Sequence, residues 1–132
     1  MNTFLRFFGF ILPVLLCLGA SPDAHAKLYG VTTFSDFASI AKEIGGDKID
    51  VDYLAYADQD PHFVSPKPGL ALKLKKADMF LLTGMDLEVW ASTLLDTARN
   101  KKIMDGAVGY VTVRNGIEIL EFPKVISRAQ GD

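Results

Sequence analysis

Lys76-Ala77-Asp78-Met79-Phe80-Leu81-Leu82-Thr83-Gly84 is the stretch on which the fold turns. Met79 to Thr83 is nearly all apolar, too short for a helix, and closed by a glycine. Such a run suits a central strand of a parallel sheet, covered on both faces.

Working outward, Pro68 stands where a first helical turn tolerates its missing N–H. Leu70, Leu74 and Ala77 mark the buried side of a helix before the strand, with Lys73, Lys75 and Lys76 on its solvated face. Ile49 to Ala55 reads as an earlier strand, alternating Val51, Tyr53 and Ala55 with Asp50, Asp52 and Leu54. Leu28 to Thr32 reads as the first. Between these two, Phe37, Ile40, Ala41 and Ile44 form one apolar helical stripe, expected in the core. Thr33 is the expected N-cap, with Asp36 completing a capping-box-like pair. Gly45-Gly46 ends that helix, because glycine accepts the left-handed conformation.

Beyond Gly84, Asp86 is the expected cap of a further helix and Glu88 a charge in its first turn. Leu87, Trp90, Ala91, Leu94 and Ala98 face inward, so Trp90 is read as core. Tyr110 to Val113 is a fourth strand, Arg114-Asn115-Gly116 a turn, Ile117 to Phe122 another short apolar run, and Pro123 to Asp132 a loose tail. The expected fold is therefore α/β: a small parallel sheet of about four strands, with right-handed crossovers and helices on both faces. Ligands of such sheets sit at the carboxyl ends of the strands.

The loop at that edge is Tyr56-Ala57-Asp58-Gln59-Asp60-Pro61-His62-Phe63-Val64-Ser65-Pro66-Lys67. Its prolines, with Pro68, stiffen it, and Pro61 biases Asp60 toward extended backbone. An imidazole on a rigid loop suits zinc, manganese and other transition metals. Asp58 or Asp60 is placed to orient the ring by accepting its second N–H. A solvated histidine in an ordinary turn is the plain alternative, and one histidine does not make a zinc site. Tyr56 either lines the same edge or packs.

The amino terminus stands apart. A basic start at Arg6 precedes fourteen uncharged residues, Phe7 to Ala20, and then Ala24-His25-Ala26. That order is a secretory signal over residues 1–26, cleaved before Lys27. The run falls short of the ~20 residues of a spanning helix, and Pro13 interrupts it. A lipid on Cys17 is disfavoured, because Leu16 precedes it where a small residue is expected. The mature chain, 27–132, then keeps His62 as its one histidine and has no cysteine, which an oxidising periplasm tolerates.

The 132 residues carry a net charge of −2, so nothing draws the chain to nucleic acid. An enzyme is not expected. No serine sits in a glycine-flanked elbow, no cysteine remains after cleavage, and no glycine loop opens a helix for phosphate.

Asp60-Pro61-His62 followed by Pro66-Lys67-Pro68 resembles the first metal-ligand motif of the zinc- and manganese-binding solute-binding proteins of ABC transporters. Val31-Thr32-Thr33-Phe34, Ile44-Gly45-Gly46-Asp47, Lys76-Ala77-Asp78 and Gly84-Met85-Asp86-Leu87-Glu88-Val89-Trp90 are similar to its other segments. The resemblance implies a bilobed receptor that holds a divalent metal ion between lobes joined by a long helix, and delivers it to a membrane permease. Of the four ligands that the family uses, only His62 maps onto this sequence. The expectation is an N-terminal metal-binding lobe over 27–132, with the linking helix and C-terminal lobe absent, from a truncated or split gene. A second reading is a secreted interaction module without a metal role, or a non-functional fragment, pairing with a separately encoded C-terminal lobe.

Overall fold

The computed structural model describes residues 26–118. The proposed signal (all but Ala26), the apolar run from Ile119 onward and the tail lie outside the described residues. The elements run β1 (Leu28–Phe34), α1 (Ser35–Gly45), a short 3₁₀ turn (Gly46–Lys48), β2 (Ile49–Ala55), α2 (Pro68–Lys76), β3 (Met79–Leu82), α3 (Trp90–Ala98) and β4 (Tyr110–Thr112).

The four strands form one parallel sheet in the order β2-β1-β3-β4. Val31 pairs with Asp52 on one side and Phe80 on the other, and Phe80 with Tyr110. The chain steps one way from β1 to β2, then crosses back over β1 to β3. With right-handed crossovers, that reversal sends α1 to one face and α2 and α3 to the other. The packing agrees: α1 lies on β1 and β2, while α2 and α3 pack together. The core gathers Val31, Leu54, Phe80 and Leu82 of the sheet with Ala71, Leu74, Trp90, Leu94 and Ile103.

The fold class and the four strands agree with the sequence. Several local expectations do not. Thr33 does not cap α1: β1 runs on to Phe34, which is the N-cap and makes no side-chain capping bond. Nor do Ile40 and Ile44 enter the core; they are 56% and 82% exposed. The side of α1 that approaches the sheet is one of small residues, Ala38, Ala41 and Gly45. A Cβ at Gly45 would collide with the Ile49 side chain. Close approach of the helix, rather than bulk on its surface, fixes which face is buried. Gly46 does end the helix with a positive φ of 55°.

Lys73 is not merely solvated. Its ammonium donates to Asp52 Oδ1 at 2.9 Å and to the Tyr53 carbonyl at 3.0 Å, fastening α2 to β2. Burial alone would raise the Asp52 carboxyl. The Lys73 hydrogen bond, the Tyr53 backbone N–H, the Lys73 charge and the Tyr29 hydroxyl outweigh it and hold Asp52 below the usual carboxylate range. A carboxyl depressed on folding stabilises the native state above its unfolded value, near pH 4, and that contribution fades as pH falls through the lower folded value. Asp52→Asn is therefore expected to lower the urea midpoint at pH 7 by an increment worth about 1 kcal/mol or less, since the pair is partly exposed. The difference from wild type should shrink as the pH is lowered below 4, and so be smaller at pH 3 than at pH 7. An equal deficit at both pH values would contradict the linkage.

Candidate metal centre

The strand order reverses at β1, so the crevice between the carboxyl ends of β1 and β3 is the topological switch point. Glu88 closes it. Its Oε1 accepts from Thr33 Oγ1 at 2.8 Å and from the Thr83 backbone N–H at 2.7 Å, and its Oε2 from the Gly84 N–H at 3.3 Å. Thr33 and Glu88 are buried, Glu88 to 5% exposure. Glu88 is thus not a charge in the first turn of α3; it ties the end of β1 to the end of β3. Asp86 does not cap α3, which starts only at Trp90 after Val89. Gly84, Met85 and Asp86 instead form a turn with φ of 83°, 59° and 62°. Two non-glycine residues in the left-handed region make it a costly turn, held from inside by the Glu88 carboxylate.

The loop from the end of β2 builds the other wall. Tyr56 and Gln59 exchange two hydrogen bonds, Gln59 N–H to the Tyr56 carbonyl at 3.0 Å and Tyr56 N–H to Gln59 Oε1 at 2.9 Å. Asp60 then organises His62. Its Oδ1 accepts the His62 backbone N–H at 2.9 Å and lies 2.8 Å from Nδ1 of the ring. The Phe63 N–H bonds back to the Asp60 carbonyl at 3.1 Å, and Val64 is buried just beyond. The His62 side chain is 25% exposed. With Nδ1–H donating to Asp60, the ring is the tautomer whose lone pair lies on Nε2.

Of the two aspartates that the sequence offered, Asp60 meets the ring. Among the described residues no three of His, Cys, Asp and Glu converge as a metal cluster. Trp90, read as core, is buried but also polar in effect: its Nε1–H donates to the Pro61 carbonyl at 2.7 Å. The loop after β2 therefore reaches the turn after β3, across the carboxyl end of β1 that lies between them.

Sequence periodicity contained a signal for Glu88 that composition hid. Residues 91, 95 and 98 fall on one buried face of α3, and Glu88, which continues the same spacing although it lies in the turn before the helix, is buried as well. A carboxylate on a buried face needs fixed donors.

Residues 31–128 match the family model described as zinc-uptake complex component A, periplasmic. The chain belongs to this family. It is a family of solute-binding transport proteins, not of enzymes. A manganese ABC transporter substrate-binding lipoprotein, PsaA of Streptococcus anginosus, is 31% identical over 126 residues, 91% of this chain and 40% of that protein. The zinc-binding lipoprotein AdcA of Streptococcus pneumoniae is 33% identical over 89 residues, 67% of this chain and 18% of its own length. Among solved structures, the metal-dependent lipoprotein YcdH of Bacillus subtilis superposes with a TM-score of 0.57 at 30% identity, covering 72% of this chain and 34% of YcdH. The Mn-bound periplasmic metal-binding protein of Candidatus Liberibacter asiaticus superposes at 0.57 and 26%, covering 70% and 32%. This member of the zinc-uptake family thus spans well under half the length of these relatives. No helix among its described residues is long and apolar enough to cross a membrane.

Proposed function

We propose that residues 27–132 form the N-terminal metal-binding lobe of an extracytoplasmic receptor for a divalent transition metal, zinc or manganese, in an ABC transporter. His62 is the ligand that this lobe contributes. Residues 1–26 carry the lobe to the periplasm as a cleaved signal, and its partners there are the ion and a membrane permease. The observation that carries the reading is the Asp60–His62 pair, an imidazole held through Nδ1 by a carboxylate on a proline-stiffened loop at the carboxyl edge of a parallel sheet. A carboxylate on one ring nitrogen fixes the orientation of a metal-ligating histidine and strengthens the other nitrogen as a donor.

Zinc takes at least three protein ligands, and this part of the chain offers one imidazole, so the remaining ligands come from elsewhere in the working receptor. Tyr56, Phe63, Met85 and Val89, all exposed around this edge, support a face that is covered there. Calorimetric titration of the chain with zinc and with manganese tests the ligand. Weak binding is expected, reduced at least tenfold in His62→Ala; identical isotherms for the two proteins would remove His62 from the site.

A further inference from the structure

We infer that Trp90 is a positioning residue for the His62 imidazole, acting through the Pro61 carbonyl. The inference rests on the reading of His62 as a metal ligand, and it adds a group that lies outside the loop.

Asp60 fixes the ring from within the loop, through bonds that span only two residues. With the Asp60 side chain 55% exposed, that pair competes with water and holds the ring in one state only while the loop around it is held still. Something outside it must fix where the turn stands over the sheet. Two anchors do so. Val64, buried, pins the chain two residues after His62. The Trp90 indole pins the chain one residue before it, from the first residue of α3. The indole is rigid, and its ring is packed in the core cluster at 8% exposure. Its N–H can therefore point at one place only. That place is the carbonyl of the peptide whose next Cα bears the imidazole.

The same indole belongs to the segment that Glu88 locks to β1 and β3. Trp90 thus transmits the geometry of the switch point to the loop after β2, although β2 and β3 are not neighbours in the sheet. The ligand is set relative to the sheet's carboxyl end, rather than only relative to its own turn.

Trp90→Phe keeps an aromatic ring in the core and deletes the N–H. Two readouts separate the positioning role from the ligand role. The first is the ¹⁵N spectrum of the His62 ring in the metal-free full chain at alkaline pH, where the resonances report the tautomer. Wild type is expected to show one tautomer, Nδ1-protonated. Trp90→Phe is expected to show averaged or broadened ring resonances. The second is calorimetry with zinc, expected to weaken about tenfold, at the low end of what second-sphere losses cost. Leu94→Val, a buried substitution one turn further along the same helix that leaves the indole N–H in place, controls for loosening of the core and should leave both readouts as in wild type. An unchanged ring spectrum in Trp90→Phe would overturn the inference, as would the same change in Leu94→Val. If instead the ring spectrum responds while wild type and His62→Ala bind zinc alike, the positioning stands and the ligand reading fails.

Discussion

Glu88→Ala is expected to destabilise the protein by about 3 kcal/mol. The carboxylate accepts two backbone N–H groups and one hydroxyl at a site closed to solvent. A buried donor left without an acceptor costs about 1–3 kcal/mol. The Thr33 hydroxyl can rotate toward another acceptor, but the Thr83 and Gly84 N–H groups are fixed by the backbone. Water entering the gap would recover part of the loss, which sets the total near the lower end of the sum. The left-handed Met85 and Asp86 also lose what holds them, so the turn should relax toward ordinary backbone. Glu88→Gln keeps one acceptor oxygen but turns an NH₂ toward a donor, and should fall between alanine and wild type. Thr33→Val removes one donor together with its need, and should cost the least. Urea midpoints of the three variants give the order. If Thr33→Val proves as harmful as Glu88→Ala, the carboxylate is not what joins the two strand ends.

Which parts of this were legible in the sequence follows from how far each interaction reaches along the chain. The apolar run Met79–Leu82, the alternation in Ile49–Ala55, Pro68 in a first turn and Gly46 at a helix end are local signals, and each stands where the sequence put it. The Asp60–His62 contact was legible for the same reason, since it spans two residues in a stiff loop. Thr33 and Asp86 carried local capping signals that lost to partners elsewhere. Thr33 is claimed by Glu88, fifty-five positions on, and Asp86 lies in a turn that delays the helix to Trp90. The bond from Trp90 to Pro61 spans twenty-nine positions, and nothing local announces it. A buried tryptophan usually finds an acceptor for its N–H, but which acceptor depends on how two loops meet. The exposed Ile40 and Ile44 mark a different limit. Hydrophobic periodicity weighs bulk, whereas α1 sits down on its small residues. Asn100 is a similar case: its side-chain amide donates to the Leu74 and Ala77 carbonyls at 2.9 and 2.7 Å, closing the end of α2 from beyond α3.

Phe80→Ala is expected to remove about 3–5 kcal/mol, the range for deleting a fully buried phenylalanine. Phe80 has no exposed surface, occupies the middle of the sheet in register with Val31 and Tyr110, and meets the Tyr110 ring at 6.4 Å between centroids. The strand around it is hydrogen-bonded on both sides, so the backbone cannot close over the missing ring, and the cavity adds to the lost transfer energy. Small domains hold only ~5–15 kcal/mol in total, and the variant should therefore melt well below wild type. Phe80→Leu retains much of the volume and should cost less than half as much. The contrast with the carboxyl edge lies in the second measurement. The Phe80 ring lies in the same core cluster as Trp90 and Val64 but has no polar group to offer the loop, so at temperatures where the variant is folded its His62 ring spectrum and zinc isotherm should stay close to wild type. A loss under 1 kcal/mol would mean that the sheet repacks around the gap. A changed ring spectrum in the folded variant would mean that the ligand loop depends on the packing of the sheet interior as well as on its two anchors at the rim.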